Sequence, residues 1–488
     1  MRMSRWKLLV AIIILISLAG KLYIIYHTDG LWWDEAVYLG LGRNLFDNQY
    51  TLEPGVPLES FRPPMLPVIT SSFYWSPLLA RSLVAVMSLV AVLAVYFLGK
   101  EIFGEKEGLI AALFTGTSYL FVFYSSKLMT EPLFIILFSL SLILFSRWSK
   151  SGEGRDILAC GMLTGAAFMT RYLAYVLILA YLAYLLHPVI RKKKPDLKAT
   201  GGFLLGIIAS LLPWFLVGCI YYGNPVGGFI TNFNIWSFSF SQTLLEGLQM
   251  LGSSFGYIWI FLAFGLYTIY RVERKRTGPV WTMLIVIAIS ILFFLGSSHK
   301  EARYLLSFFP AYVIIAAMGA RRALRKGTLV KAAVVAAIAV VSIATMSLAF
   351  QYAWADRHSG APLYQASLFL ANSTAPGDSI LTQSYPYVYL AGRKAVPYCD
   401  NYVVNDAWEA CQAQIIARTW DPSQVEPLLE KHNITYILSY KFELMNTRKA
   451  ISYFDRYFER VRAWEYWSDP DAVVVYRVAN QNAAVSSS

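Results

Sequence analysis

The sequence predicts a polytopic α-helical membrane protein of about eleven transmembrane helices, followed by an extracytoplasmic C-terminal α/β domain. Three observations carry this expectation. Of the 488 residues, 57% are hydrophobic and only 15% charged, against roughly 25% charged in an average soluble domain, and the mean hydropathy is +0.49. Roughly eleven apolar runs are long enough, at about 20 residues each, to cross a hydrocarbon core as helices. Beyond residue 351 the composition becomes charge-balanced, and helical and strand patterns alternate. The 16% aromatic content excludes a disordered or fibrous chain, and 4 cysteines are too few for a disulfide-dense scaffold.

The apolar runs lie at 7–26, 77–99, 107–125, 131–147, 157–172, 173–190, 198–222, 247–270, 279–297, 303–320 and 328–351. Arg171 interrupts the stretch 157–190, and charge decides that two helices lie there. With the basic start (Arg2, Arg5, Lys7) in the cytoplasm and eleven alternating helices, 22 of the 42 basic residues face the cytoplasm, 8 lie in outer loops and helix ends, and 12 lie in the tail beside 14 acids. The cytoplasmic set includes Lys100, Arg147, Lys150, Lys194, Arg271, Arg276, Arg321 and Arg325. Such asymmetry is the positive-inside pattern. The net charge of +12 and pI near 9.3 are therefore a topology signal, and nucleic acid is not an expected partner. The start of the chain resembles a signal peptide ending at Ser17-Leu18-Ala19-Gly20. The run continues through Tyr23-Ile24-Ile25-Tyr26, so an uncleaved anchor is expected, with Lys21 snorkelling near the outer face.

Two domains follow: a membrane domain 1–351 with a long first outer loop 27–76, and an extracytoplasmic domain 352–488. The expected location is the plasma membrane of a prokaryote rather than the endoplasmic reticulum, with the N-terminus cytoplasmic. In the tail, 362–372, 407–417 and 423–431 read as helices and 379–383, 394–399, 434–439 and 472–478 as strands. Pro376-Gly377-Asp378 is turn punctuation. Cys399 and Cys411 are either a disulfide of an oxidising compartment or two ordinary small residues. Asn372-Ser373-Thr374 and Asn433-Ile434-Thr435 match the glycosylation acceptor pattern, and no internal repeat is visible.

Charge near membrane depth is costly and marks functional candidates. The first loop holds Trp32-Trp33-Asp34-Glu35, then Arg43 and Phe61-Arg62-Pro63-Pro64. Other outer connections hold Lys127, Thr130-Glu131-Pro132, Thr170-Arg171-Tyr172 and Ser298-His299-Lys300-Glu301-Ala302-Arg303-Tyr304. Bland readings stand beside these. Thr130-Glu131-Pro132 also suits a plain helix start, Arg171-Tyr172 an interfacial anchor, Arg43 a pair with an acid of its own loop, and Lys300 with Arg303 structural salt bridges. Gly161 and Gly165 predict close helix packing, and Gly40-x-Gly42 lacks the third glycine of a dinucleotide fingerprint. If a helix begins near His299, then His299 with Arg303 and Lys300 with Tyr304 are i,i+4 pairs, at a helix N-terminus suited to an anion.

The order of these motifs resembles the GT-C glycosyltransferases, in particular the group of protein O-mannosyltransferases and lipid A aminoarabinose transferases. The resemblance covers the membrane part. It implies that Asp34 acts at the reaction centre, that Arg62 contacts a lipid-linked phosphate, and that Tyr304 reaches the same phosphate. The aminoarabinose branch usually has Lys where this chain has Arg62, which argues against that sugar. The His299-to-Arg303 run is also similar to mannosyltransferases that extend lipid-linked glycans.

Elementary chemistry agrees. Transfer from a polyprenyl- or dolichyl-phosphate sugar needs cations for the departing phosphate, and Arg62, Lys300, Arg303 and Arg171 supply them. It also needs a base for the acceptor hydroxyl of a protein, lipid or glycan, which Asp34 supplies. A phosphate leaves unprotonated, so one base suffices and direct displacement inverts the anomeric carbon. Glu35, Glu131, His299 and Arg43 are candidates for binding sugar or acceptor. No zinc-type spacing appears, so no cofactor is required, although Asp34 and Glu131 are able to hold a divalent ion. The alternative is a transporter or flippase for a lipid-linked anion. It is disfavoured because transporters place charge near the midplane and often show repeats.

Overall fold

The computed structural model describes residues 5–47, 50–52, 62–190, 194–224, 226, 240–254, 256, 258–271, 278–297, 301–325, 327–398, 425–441, 447–466 and 469–478. Lys300, His299, Cys399, Cys411 and the predicted helix 407–417 lie outside these residues. The chain divides into two compact units. The first comprises Met1–His27, Ser60–Thr70 and Leu78–Ala355; the second comprises Thr28–Glu59, Ser71–Pro77 and Asp356–Ser488. Most of the first loop thus groups with the tail, whereas the boundary drawn at 351/352 assigned that loop to the membrane domain.

Among the described residues seven helices are long and apolar enough to cross a membrane: Leu8–Tyr26, Pro77–Ile102, Glu131–Ser151, Leu197–Ile220, Gly278–Gly296, Ala302–Ala323 and Thr328–Asp356. Leu244–Ser254 and Ile258–Arg271, bent by 98°, make an eighth if they form one span. The chain is an integral membrane protein. The predicted number of about eleven exceeds this because three of the apolar runs form shorter helices. Run 107–125 is cut at Ser118, whose backbone is extended (φ −60°, ψ 130°), into Glu105–Thr117 and Tyr119–Tyr124. Run 157–190 is cut at Arg171, also extended (φ −150°, ψ 129°), so the predicted division at that residue holds.

In the first unit the helices are α1 (Arg5–Tyr26), α3 (Met65–Thr70), α4 (Pro77–Ile102), α5 (Glu105–Thr117), α6 (Tyr119–Tyr124), α7 (Glu131–Ser151), α8 (Gly154–Phe168), α9 (Tyr175–Ile190), α10 (Leu197–Tyr222), α11 (Phe240–Ser254), α12 (Ile258–Arg271), α13 (Gly278–Gly296), α14 (Phe309–Ala323) and α15 (Thr328–Asp356). α8 lies on α10 through glycine, as the Gly161/Gly165 spacing predicts. A Cβ on Gly161 would stand 2.1 Å from the Phe203 carbonyl oxygen, and one on Gly206 would stand 2.2 Å from that of Leu158. Backbones this close exclude any larger residue. Lys21 does not snorkel: it is fully buried, donates to the Ser17 hydroxyl one turn earlier, and lies 4.7 Å from the Phe121 ring centroid.

The second unit holds α2 (Trp33–Asn44), α16 (Ala361–Ser373), α17 (Tyr385–Leu390), α18 (Glu426–Lys431) and α19 (Thr447–Tyr457), with β1 (Ser379–Leu381), β2 (Lys394–Val396), β3 (Ile434–Tyr440), β4 (Glu459–Tyr466) and β5 (Asp469–Arg477). The sheet order is β2-β1-β3-β5-β4. β1 runs parallel to β2 and β3, and β5 runs antiparallel to β3 and β4. Leu381, Val396, Ile437, Phe454, Val474 and Tyr476 fill its core. The α/β character matches the sequence reading, which did not anticipate α17, α19 or β4.

Candidate active site

In the first unit, α7 begins at Glu131 with Pro132 in its first turn, so the helix-start reading of Thr130-Glu131-Pro132 is correct. The Thr130 hydroxyl makes no cap bond. It instead accepts a hydrogen bond from Arg171 Nη1 at 2.8 Å, and the same nitrogen lies 2.6 Å from Glu131 Oε1. The extended Arg171 lets its side chain reach back to α7 from the connection between α8 and α9. Glu131 is wholly buried, and its Oε2 has no hydrogen-bond partner among the described residues.

Residues Ala302–Phe308 form a 3₁₀ helix, and α14 starts only at Phe309. From Ala302 on, the expected α-helical start is therefore replaced by a tighter coil in which residues three apart align; the expected i,i+4 pairs involve His299 and Lys300, which lie outside the described residues. Tyr304 OH donates to Glu301 Oε1 at 3.0 Å, and Arg303 Nη2 donates to the same oxygen at 2.9 Å. The guanidinium groups of Arg171 and Arg303 each lie 5.6 Å from the Tyr304 ring centroid. One buried tyrosine thus sits against two arginines, each already paired with a carboxylate. Both were expected among the cations for a phosphate, and the structure gives each a carboxylate partner.

Lys127, fully buried with Nζ 5.1 Å from the Phe123 ring centroid, lies on the α6–α7 connection that also carries Thr130. Sequence reasoning noted Lys127 and Glu301 but gave them no role. The signal was there, since both are charged residues in short connections between apolar runs. Arg62 is half-buried just before α3, and Met65 N–H donates to Met169 O at 3.0 Å, tying that segment to the end of α8, two residues from Arg171.

In the second unit, the two adjacent acids of α2 are both buried but differ in surroundings. Glu35 turns back and its Oε2 accepts the Trp32 backbone N–H at 2.9 Å, satisfying a donor that the helix start leaves open. Asp34 sits one position earlier in the first turn, where the helix dipole favours a carboxylate. Arg43, a candidate for sugar or acceptor, is a fastener: Nη1 donates to Leu390 O at 3.3 Å, and its guanidinium lies so close over Gly392 that a Cβ there would stand 2.8 Å from it. Among the described residues its contacts are with the α17 end, while Glu53 and Glu59 of its own loop lie outside them. Among the described residues, no group of three or more His, Cys, Asp or Glu side chains is placed to hold a metal ion.

A family model described as dolichyl-phosphate-mannose-protein mannosyltransferase matches residues 65–214, the part of the chain that holds Lys127, Thr130, Glu131 and Arg171. No curated protein matches the chain. Among solved structures, ArnT from Cupriavidus metallidurans bound to undecaprenyl phosphate has a TM-score of 0.67 at 14% identity, covering 96% of this chain and 97% of that one. The oligosaccharyltransferase of Archaeoglobus fulgidus in its apo form has a TM-score of 0.63 at 15% identity, covering 98% of this chain and 76% of that one. The arabinofuranosyltransferase AftD from Mycobacteria has a TM-score of 0.52 at 13% identity, covering 96% and 40%. At such low identities the likeness is one of architecture: this chain is a membrane protein of the GT-C fold, and its residues 65–214 are similar to the dolichyl-phosphate-mannose-protein mannosyltransferase family.

Proposed function

We propose that the chain is a glycosyltransferase of the membrane that moves a sugar from a polyprenyl- or dolichyl-phosphate donor to a hydroxyl of a protein, lipid or glycan acceptor. The observation that carries this reading is the mannosyltransferase match over 65–214, which falls on the segment where Arg171, Glu131 and Thr130 interlock. The solved ArnT of the same architecture is bound to undecaprenyl phosphate, the kind of lipid phosphate that such a transfer would release.

In this mechanism Asp34 accepts the proton of the acceptor hydroxyl. The acceptor oxygen attacks the anomeric carbon from the side opposite the phosphate, the carbon–oxygen bond to phosphate breaks, and the bonding pair leaves on the phosphate. The configuration inverts. Arg62, Lys300 and Tyr304 bind the phosphate and stabilise the charge it gains. Arg171 and Arg303, held in orientation by Glu131 and Glu301, offer their remaining N–H donors to the same phosphate. The reaction takes place on the extracytoplasmic side, the side assigned to the charged connections by the basic-residue asymmetry of the sequence.

Asp34→Asn tests this. Asn keeps the shape but takes no proton, so the variant folds and binds donor lipid while transfer of labelled sugar to membrane or cell-surface acceptors falls by ~10²–10⁴-fold, the usual share of general base catalysis. Glu35→Gln keeps an oxygen for the Trp32 N–H and retains most activity. Normal transfer by Asp34→Asn with a dead Glu35→Gln moves the base by one residue. No lipid-dependent transfer by the wild type leaves the transporter reading ahead.

A further inference from the structure

Two short backbone stretches distant in sequence meet in the second unit. The N–H groups of Asp29 and Gly30 both donate to the Arg357 carbonyl, at 3.2 and 3.3 Å. A Cβ on Gly30 would stand 1.9 Å from the Ser359 carbonyl oxygen. Gly360, at φ +74°, faces the other strand of the crossing, where a Cβ would stand 2.0 Å from the Leu31 carbonyl oxygen. Glycine is thus required on both sides. The Leu31 carbonyl also accepts the Tyr387 hydroxyl at 2.7 Å. Immediately beyond the crossing, Trp32 is held twice: its indole Nε1–H donates to Asp356 Oδ2 at 2.8 Å, and its backbone N–H donates to Glu35. The Trp33 ring stands edge-on to Tyr385 at 5.0 Å.

We infer that Asp356 is a positioning residue for the reaction: through the Trp32 indole it fixes the first turn of α2 and with it Asp34. The inference rests on the reading of Asp34 as the base. A catalytic group must be held within about 0.5 Å of its productive geometry, and Asp34 lies only two residues past Trp32. The hydrogen bond to a carboxylate is a strong, directional restraint. The nearby pair of His358 and Asp29, at 2.9 Å, is more than half exposed on both sides and contributes little. The restraint therefore lies in the Asp356–Trp32 bond and the glycine crossing.

The test compares Asp356→Ala, Asp356→Asn and Trp32→Phe with Asp34→Asn in the full-length protein, reading kcat, donor KM, binding of bare polyprenyl phosphate and the melting temperature. Asn retains an oxygen for the indole N–H, whereas Ala and Phe each remove the bond. Expected is a fall in kcat of about 10- to 100-fold for Asp356→Ala and Trp32→Phe, the scale of a misplacement of about 1 Å. Donor KM and lipid-phosphate binding stay as in the wild type, and Asp356→Asn recovers most of the loss. The double variant Asp356→Ala/Trp32→Phe should be no worse than either single one. If Asp356→Ala does not fold, Trp32→Phe carries the comparison alone, because it leaves the carboxylate in place. Wild-type kcat in Trp32→Phe beside an inactive Asp34→Asn overturns the inference and leaves the base assignment standing. Equal loss in the Asn and Ala forms overturns it in favour of a plain charge effect. An active Asp34→Asn overturns the base assignment itself.

Discussion

Removing Glu131 should cost more stability than removing the whole pair to which it belongs. The Glu131 side chain is 1% exposed and that of Arg171 13% exposed, so solvent screens their contact at 2.6 Å very little. Breaking such a pair from one side leaves a buried, uncompensated charge, at a cost of about 3–5 kcal/mol. Glu131→Gln should fall at the lower end, since Arg171 keeps the Thr130 hydroxyl and the Tyr304 face. Arg171→Met should cost as much or more, because it leaves a carboxylate whose second oxygen already has no hydrogen bond among the described residues. The double variant Glu131→Gln/Arg171→Met carries no charge and fills similar volume, so it should return to within about 1 kcal/mol of the wild type. Equilibrium unfolding in detergent of the four proteins closes the cycle. Additive losses, with the double variant near the sum of the single ones, would refute the view that these groups are held chiefly by each other. A double variant that regains stability but not sugar transfer would show that the pair is kept for the field it sets.

Two further outcomes are expected. Arg62→Ala and Lys300→Ala should each weaken binding of bare polyprenyl phosphate by about 1.5–3 kcal/mol, the range for hydrogen bonds to charged groups; wild-type affinity in both would move the phosphate site elsewhere. Reporter fusions after Lys194 and Arg276 should be cytoplasmic and those after Tyr222 and Tyr352 outside, and a cytoplasmic tail would remove the extracytoplasmic reaction from the proposal.

Hydropathy revealed where the chain enters apolar surroundings, because burial and lipid exposure select the same side chains. It did not reveal where a helix stops inside an apolar run. Ser118 ends α5 with no Pro beside it and α6 resumes at once, so composition there is blind to geometry. Arg171 was legible because a charge interrupts the run. In the tail, β4 was hidden by its own sequence: Glu459-Arg460-Val461-Arg462-Ala463-Trp464-Glu465-Tyr466 reads as a charged surface segment. The structure explains this, since among the described residues β4 is an edge strand that pairs only with β5 and is mostly open to solvent. Edge strands carry charge for that reason.

The site was legible as a set of charges and illegible as a set of pairs. Glu131 and Arg171 lie 40 residues apart, and Arg43 reaches an oxygen 347 residues away, so no local pattern announces either contact. Each pairing changes the chemistry a residue can do. An arginine held by a carboxylate is fixed in orientation while keeping N–H donors beyond those the pair uses. The same reasoning divides the adjacent acids of α2. Sequence alone presents Asp34 and Glu35 as one acidic motif, yet their helix positions separate them. At the third position of the helix, Glu35 is long enough to return to the Trp32 N–H and is engaged in holding the turn. At the second position, the shorter Asp34 side chain is not the one recruited to that N–H, so two acids adjacent in sequence serve the first turn differently.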